Sequence, residues 1–412
     1  MTLLRRAAAI VHRQAWQRLP RDLRRNALLQ ASALLAPRSH AGVSPAEPIT
    51  VVGYLRTASG LGEGARLLYE AFTRLGRETY GIDISAGQMQ TLDLPDYAIA
   101  DGRGCHGPGT VILQVNAPLV PLALMQLGRK FLAQKHVVGY WAWELEGLPD
   151  DWRFGPPCVH QVWVPSRFTA DALARSHPQL PVRVVSYPLA MRPFDVSVGG
   201  GNRFRVLLLF NCASGFARKN PCAAIAAFRK AFSGDSSVEL IVKSSNLDVY
   251  PPARGLIDAA IGSAANIRHI DCTLPQDGVE ALYLTADAVI SLHRSEGFGL
   301  VPAEAMLRGL PVVVTGWSGN MDFVSDENAC PVRYRLVPAQ DPQGVYHFPD
   351  QRWAEADIDH AAESLSRLKR DEPYRTRIAK CAAQDAAALF SLDAFASDVR
   401  KALGLKTGSA QQ

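Results

Sequence analysis

The stretch HRSEGFGLVPAEA, residues 293–305, sets two carboxylates, Glu296 and Glu304, eight positions apart. Gly297, Phe298, Gly299 and Leu300 lie between them, and Pro302 suits the first turn of a helix that stops at Gly309. Glycines let a backbone approach a ligand closely, and the free N–H groups of a helix start hold an anion such as a diphosphate. Carboxylates repel phosphate. Beside such a loop they make sense as acceptors for neutral hydroxyl groups. A plainer role for Glu304 is to sit favourably on the helix dipole.

Cations for an anion stand elsewhere in the chain. In FNCASGFARKNPCAAIAAFRKAF (210–232) Arg218 and Lys219 precede a predicted helix, with Asn220 at the N-cap position and Pro221 at the first helical one. Lys243 ends the apolar run VELIVK. In open α/β sheets ligands bind beyond the carboxyl ends of the strands, and these residues all follow strand-like segments. A sugar nucleotide fits the set: lysine, arginine and backbone amides for the diphosphate, glutamates for sugar and ribose hydroxyls.

The elements that must position these residues alternate. ITVVGYL (49–55), TVILQVN (110–116), HVVGYWAWE (136–144) and HQVWVP (160–165) read as strands. FRVLLLFN (204–211), VELIVK (238–243), IRHID (267–271), ADAVISLH (286–293) and PVVVT (311–315) repeat the pattern, most with a helix following. Continuous apolar strands between helices imply parallel sheets covered on both faces. VSVGGGN (196–202) is the best linker candidate. The reading is two doubly wound α/β domains, 48–190 and 203–385, with a last helix within 386–404 that packs on either.

The 412 residues suit two domains. Seven cysteines are scattered with no CxxC pair, which argues against zinc and a disulfide framework and suits a reducing compartment. Residues 1–47 carry eight Arg, no Lys and two acids, a net +6 that leaves the rest of the chain at −1. Nucleic acid is therefore not the expected partner. Leu4, Ala8, Val11, Ala15 and Leu19 keep helical spacing, and a second helix is predicted over 21–35. A basic amphipathic extension suits an anionic membrane surface through residues 1–40, or a solvated helix on the body. No apolar run reaches the roughly 20 residues of a membrane span, and a cytoplasmic location follows, peripheral on the inner membrane face if the extension binds lipid.

EGFGLVPAEAMLRGLPVVVTGWSGN resembles the donor-binding signature of retaining glycosyltransferase family 4, and RKNP resembles its basic motif. GYLRTASGLGEGAR (53–66), GYWAWELEGLP (139–149) and VWVPSRFTADAL (162–173) are similar to one branch of it, so the resemblance spans about residues 50 to 400. It implies a GT-B architecture, with the N-terminal domain binding acceptor and the C-terminal domain a nucleoside-diphosphate sugar, UDP- or GDP-linked, and no required metal. By resemblance Glu296 contacts the donor sugar, Glu304 the ribose, and Lys219 with Arg218 or Lys243 the leaving diphosphate. The family often carries an arginine about six residues before the lysine; here Ala213 stands there.

The same resemblance sets Gly60 and Gly62 near the donor phosphates. Glu144, and less so Glu146, then lie near the reacting carbon. Trp141 and Trp143 are candidates for sugar stacking or for core, and Gln114 and Asn116 for acceptor contact. The expected function is transfer of a hexose, mannose among the candidates, to a glycan or lipid-linked glycan. A glycoside hydrolase using the paired carboxylates and a non-catalytic sugar-nucleotide-binding assembly subunit are the competing readings.

Overall fold

The protein is described by a computed structural model covering residues 20–88, 90–189 and 203–404. Helix α1 (Arg21–Leu35) matches the second predicted basic helix; the first, over residues 4–19, and the glycine-rich linker lie outside the described residues. The first sheet comprises β1 (Ile49–Gly53), β2 (Thr79–Asp83), β3 (Gly109–Gln114), β4 (Lys135–Tyr140), β5 (Gln161–Val164) and β6 (Val182–Val184). All pairs are parallel, in the order β2-β1-β3-β4-β5-β6. Every residue of β1, β3, β4 and β5 is buried, because helices α2 (Gly60–Arg74), α3 (Val120–Leu127) and α4 (Arg167–Ser176) pack around the sheet.

The second sheet repeats the plan with β7 (Phe204–Asn211), β8 (Val238–Ser245), β9 (Ile267–Asp271), β10 (Ala288–Ser291), β11 (Val312–Thr315) and β12 (Cys330–Val332), parallel and in the order β12-β11-β10-β7-β8-β9. Its helices are α5 (Pro221–Phe232), α6 (Ala253–Ile261), α7 (Gln276–Thr285) and α8 (Leu300–Leu307). Strand order reverses between β1 and β3 in one sheet and between β7 and β10 in the other. Each reversal splays the following loops apart and leaves a crevice, the usual ligand position in such sheets.

Four features were not expected from the sequence. Edge strand β12 spans only three residues, too short for a recognisable apolar run. Strands β2 and β6 lie at sheet edges and are only partly buried, so they lack the continuous apolar run that marks a central strand. A two-stranded antiparallel hairpin, β13 (Tyr334–Pro338) with β14 (Arg352–Ala356), interrupts the parallel pattern. The residues of β13 are exposed or half-buried, so their composition resembles a loop.

After α9 (Ile358–Arg370) and α10 (Glu372–Leu389) the chain ends in α11 (Leu392–Leu403), which crosses to the N-terminal domain. Phe395 of α11 meets Phe72 of α2 edge-on, with ring centroids 5.2 Å apart. Phe395, Val399 and Leu403 recur at helical spacing and are all buried, so one face of α11 ties the two domains together. Phe395→Ala is expected to lower the unfolding free energy by about 3 kcal/mol in urea denaturation; a loss under about 1 kcal/mol would show that the ring does not anchor the helix.

Candidate active site

Both crevices face the residues singled out by their chemistry. Beyond β7 the chain makes a helical turn, Phe216–Lys219, before α5 begins at Pro221. Asn220 joins the two with left-handed backbone (φ 50°), and its side chain makes no cap. The expected N-cap is therefore corrected: Asn220 Nδ2 instead donates to the Leu292 carbonyl at 3.1 Å. That bond pins the basic turn to the loop that follows β10, which carries Glu296.

The carboxylate of Glu296 is held from two sides. Lys219 Nζ lies 2.5 Å from Oε1 and Arg218 Nη1 3.0 Å from Oε2. The Glu296 amide donates to Ser318 Oγ at 2.8 Å. Arg218 also donates to the carbonyls of Ser214, at 3.0 and 2.7 Å, and Ser295, at 2.8 Å. Arg294 braces the turn from behind: its amide donates to the Arg218 carbonyl at 2.7 Å and its guanidinium pairs with Glu355. From the N-terminal domain, Glu144 reaches Arg218 Nη2 at 3.9 Å and accepts a hydrogen bond from Tyr346.

Burial and charge oppose each other here. Burial alone would raise the pKa of Glu296, but Arg218, Lys219 and His293 outweigh it and hold the carboxyl well below its ordinary range. Burial pulls Lys219 down, with Glu296 offsetting part of the effect. Burial raises Glu144, partly countered by Arg218. His293 is fully buried with neither ring nitrogen hydrogen-bonded, and burial pushes it down to about 4, so it is a neutral neighbour of the cluster at pH 7.

Other predicted residues fall in three groups. Lys243 lies on β8, which runs two residues further than expected because Ser244 and Ser245 keep pairing with β9 and β7. Lys243 is 8% exposed, and its side chain makes no hydrogen bond or ion pair among the described residues; burial pulls its pKa down, partly offset by Cys272 and Asp271. Glu304, on α8, is half-buried and accepts from Tyr283 Oη at 2.9 Å. Gly60, at the start of α2, has open space where a Cβ would be.

A second group serves packing. The Phe298 ring is buried among Tyr187, Phe323 and Phe390, and Leu300 packs on the same core. A Cβ on Gly62 would lie 2.3 Å from the Thr57 carbonyl, so that glycine allows a tight loop rather than a ligand approach. Trp141 and Trp143 are both buried, which removes them as sugar platforms. Gln114 is buried against Tyr187 Oη at 2.8 Å, and Asn116 Oδ1 accepts the Ala142 amide. Ser59 caps α2, and Glu63 in its first turn pairs with Arg66.

A third group joins the domains. A Cβ on Gly297 would lie 3.0 Å from the Trp143 carbonyl, and the Gly297 carbonyl accepts from Ser166 Oγ at 2.5 Å. Gly299 takes φ 99°, which only glycine adopts without strain, to enter α8. Sequence reasoning missed Ser318, Ser166 and Tyr346. Ser318 and Ser166 lie inside quoted motifs. Tyr346 sits on the loop of the unexpected hairpin, its ring centroid 5.5 Å from the Arg218 guanidinium carbon, and no local pattern marks it.

Glu304 offers a direct test of these electrostatics. Burial, and then the Glu63 carboxylate across the crevice, raise it from 4.5 to about 7. A group raised on folding contributes stability that is full below its unfolded value and is lost as pH rises through the folded one. Glu304→Gln is therefore expected to match the wild type near pH 4.5 and to exceed its stability by roughly 1 to 3 kcal/mol at about pH 8. A difference independent of pH would contradict the burial described.

Comparisons with known proteins follow the same lines. Residues 169–389, more than half of the chain, match the family described as Family 4 Glycosyltransferase in conflict systems. Among curated proteins none matches the chain in sequence. HepE from Anabaena, solved with UDP-glucose, superposes with a TM-score of 0.63 at 15% identity over 86% of this chain and 99% of that one. Sucrose-phosphate synthase from Thermosynechococcus elongatus gives 0.58 at 15% identity over 86% and 98%. TarM from S. aureus gives 0.55 at 12% identity over 72% of this chain and only 55% of its own length, so this chain spans about half of that enzyme. The two six-stranded parallel sheets and these neighbours define a GT-B fold. The chain belongs to the family 4 glycosyltransferases.

Proposed function

We propose that the chain is a retaining glycosyltransferase that moves a hexose from a nucleoside-diphosphate sugar to a hydroxyl of an oligosaccharide, polysaccharide or lipid-linked glycan. The observation that carries this reading is the Lys219–Glu296–Arg218 cluster at the β7/β10 crevice, beside the start of α8. The diphosphate lies over the amides at the start of α8, with Lys219 as its first cation. Lys243 is the second. It is unpartnered among the described residues, whereas the Arg218 donors are already taken by Ser214, Ser295 and Glu296. Arg218 then serves to position Glu296 and Glu144.

In this reading Glu296 accepts hydrogen bonds from donor-sugar hydroxyls and Glu304 from the ribose. The bond from the anomeric carbon to the diphosphate oxygen breaks, and the acceptor oxygen bonds to that carbon on the same face. The acceptor proton passes to the departing diphosphate, whose charge the lysines stabilise. Glu144 orients the acceptor or steadies positive charge on the sugar, with Tyr346 holding its carboxyl. Gly60 leaves room for the phosphates. The reading requires no metal and places the enzyme where nucleotide sugars are made, in the cytoplasm.

UDP bound in structural neighbours makes UDP-sugars the first donors to test, with GDP-mannose beside them. Purified protein offered each donor with glycan acceptors should release nucleotide from one of them with retention at the anomeric carbon, read by NMR. Glu296→Ala and Lys219→Ala should each lower kcat/KM at least about 100-fold. Hydrolysis of glycans without any nucleotide would point to the glycosidase reading; binding without turnover would point to an assembly subunit.

A further inference from the structure

Helix α1 is apolar on two faces. Leu29, Ser32 and Ala36 turn inward and are buried against the N-terminal domain. Leu23, Ala27, Leu28, Ala31, Leu34 and Leu35 turn away from it, within an arc of about 140° at 100° per residue that also contains the half-buried Arg24. These six are exposed; Leu34 is 81%, Leu35 60% and Leu23 56% accessible. No other described helix leaves four leucines open in this way. The helix itself is fixed: Arg25 pairs with Asp151 at 2.6 Å, and Arg129 Nη2 donates to the Leu35 carbonyl at 3.3 Å.

A groove of about 510 Å³ opens beside the C-terminal end of this helix. Leu34, Pro37, Leu124 and Leu132 line its apolar part, and Arg38, Arg129 and Lys135 its charged part. No aspartate or glutamate lines it. Both arginines are exposed, and neither forms an ion pair among the described residues. At its floor lies Lys135, 2% exposed, whose Nζ donates to the Pro108 carbonyl at 3.2 Å. His136 and His160 stack at 4.6 Å, and their ring nitrogens are bonded to Val43, Gln161, Val137 and His40. Burial pushes both histidines down. The groove lies at the start of β4, whereas Glu144 follows its end, about 20 Å away at 3.3 Å per residue. It is therefore separate from the crevice between the domains.

We infer that this face docks on an anionic phospholipid surface, with the α1 leucines entering the headgroup boundary and the Arg38/Arg129 groove receiving a lipid phosphate. Charge complementarity selects this occupant. Residues 1–47 hold a net +6 while the rest of the chain is at −1, so the excess cation density is concentrated in the segment that contains α1 and Arg38. An apolar face with arginines beside it and no local carboxylate in the groove matches a phosphate-bearing interface, not a neutral apolar partner. Among the described residues no helix is long and apolar enough to cross a membrane, so the contact is peripheral. This would set the transferase on the inner membrane face. The inference stands apart from the reaction, because lipid binding needs no turnover.

The test is flotation of the full chain with vesicles of phosphatidylcholine alone, or with about a third phosphatidylglycerol. The protein should partition to the anionic vesicles at least about tenfold more than to the neutral ones. About 0.5 M salt should remove most of that preference, and inorganic phosphate at matched ionic strength should not compete. L34E/L35E and R38E/R129E should each lower partitioning about tenfold with a cooperative thermal melt retained, the second losing only the exposed Arg129–Leu35 bond. Equal binding to neutral vesicles, no binding to anionic ones, or full binding by both double variants would overturn the inference. So would competition by free phosphate, which would make the groove a soluble-anion site. Loss of a dimer in L34E/L35E by light scattering, without vesicle binding, would assign the face to a second copy of the chain.

Discussion

The structure turns on one buried carboxylate held between two cations. Glu296 sits where the chain leaves β10, and its partners Lys219 and Arg218 sit where the chain leaves β7. These are the two strands flanking the reversal in strand order. A buried unpaired charge would cost several kcal/mol, so the cluster is stable only if both loops keep their geometry. The left-handed Asn220, the Ser318 hydrogen bond and the Arg294 brace all serve that geometry. Glu144 extends the cluster into the other domain, and Tyr346 adds a third segment of chain. A site for a charged ligand and a domain junction are thus the same set of atoms.

That coupling explains why so much of the glycine loop serves contact between the domains. Gly297 brings the loop against the Trp143 backbone and gives its carbonyl to Ser166. Arg167 and Asp322 pair across the same seam, with the Arg167 amide donating to Asp322 at 2.7 Å. On the far side α11 carries Phe395 onto Phe72. The two sheets are therefore joined at both the crevice and the back, and the ligand-facing loops are held by hydrogen bonds from each domain. Such support keeps charged groups preorganised before a substrate arrives, which is where most electrostatic catalysis originates.

The central strands were legible because parallel sheets covered on both faces demand unbroken apolar runs, as in FRVLLLFN and TVILQVN. The loops that follow them were legible for the same reason, since function sits beyond strand ends. Edge strands β2, β6 and β12 and the β13–β14 hairpin were not: partial exposure relaxes the composition of β2, β6 and β13, and β12 is only three residues long. In the site, Glu296 and Lys219 were marked by charge beside glycine and proline. What each glycine does was not. Gly62 and Gly297 answer to neighbouring backbone that only the fold brings near, and Asn220 takes a left-handed conformation that its N-cap chemistry does not announce. Tyr346 depends wholly on a loop with no periodicity.

The central claim is that the Glu296 cluster forms the donor site, with Lys219 shared between the carboxylate and a bound diphosphate. Its most direct test is the affinity of Glu296→Gln for a bare nucleoside diphosphate, UDP or GDP, by calorimetry. Removing the carboxylate charge frees Lys219 and leaves no hydroxyl contact to lose, so the variant is predicted to bind the diphosphate about tenfold more tightly than the wild type while losing sugar transfer. Weaker or unchanged binding would mean that the cluster does not hold the diphosphate, and the donor would have to lie elsewhere.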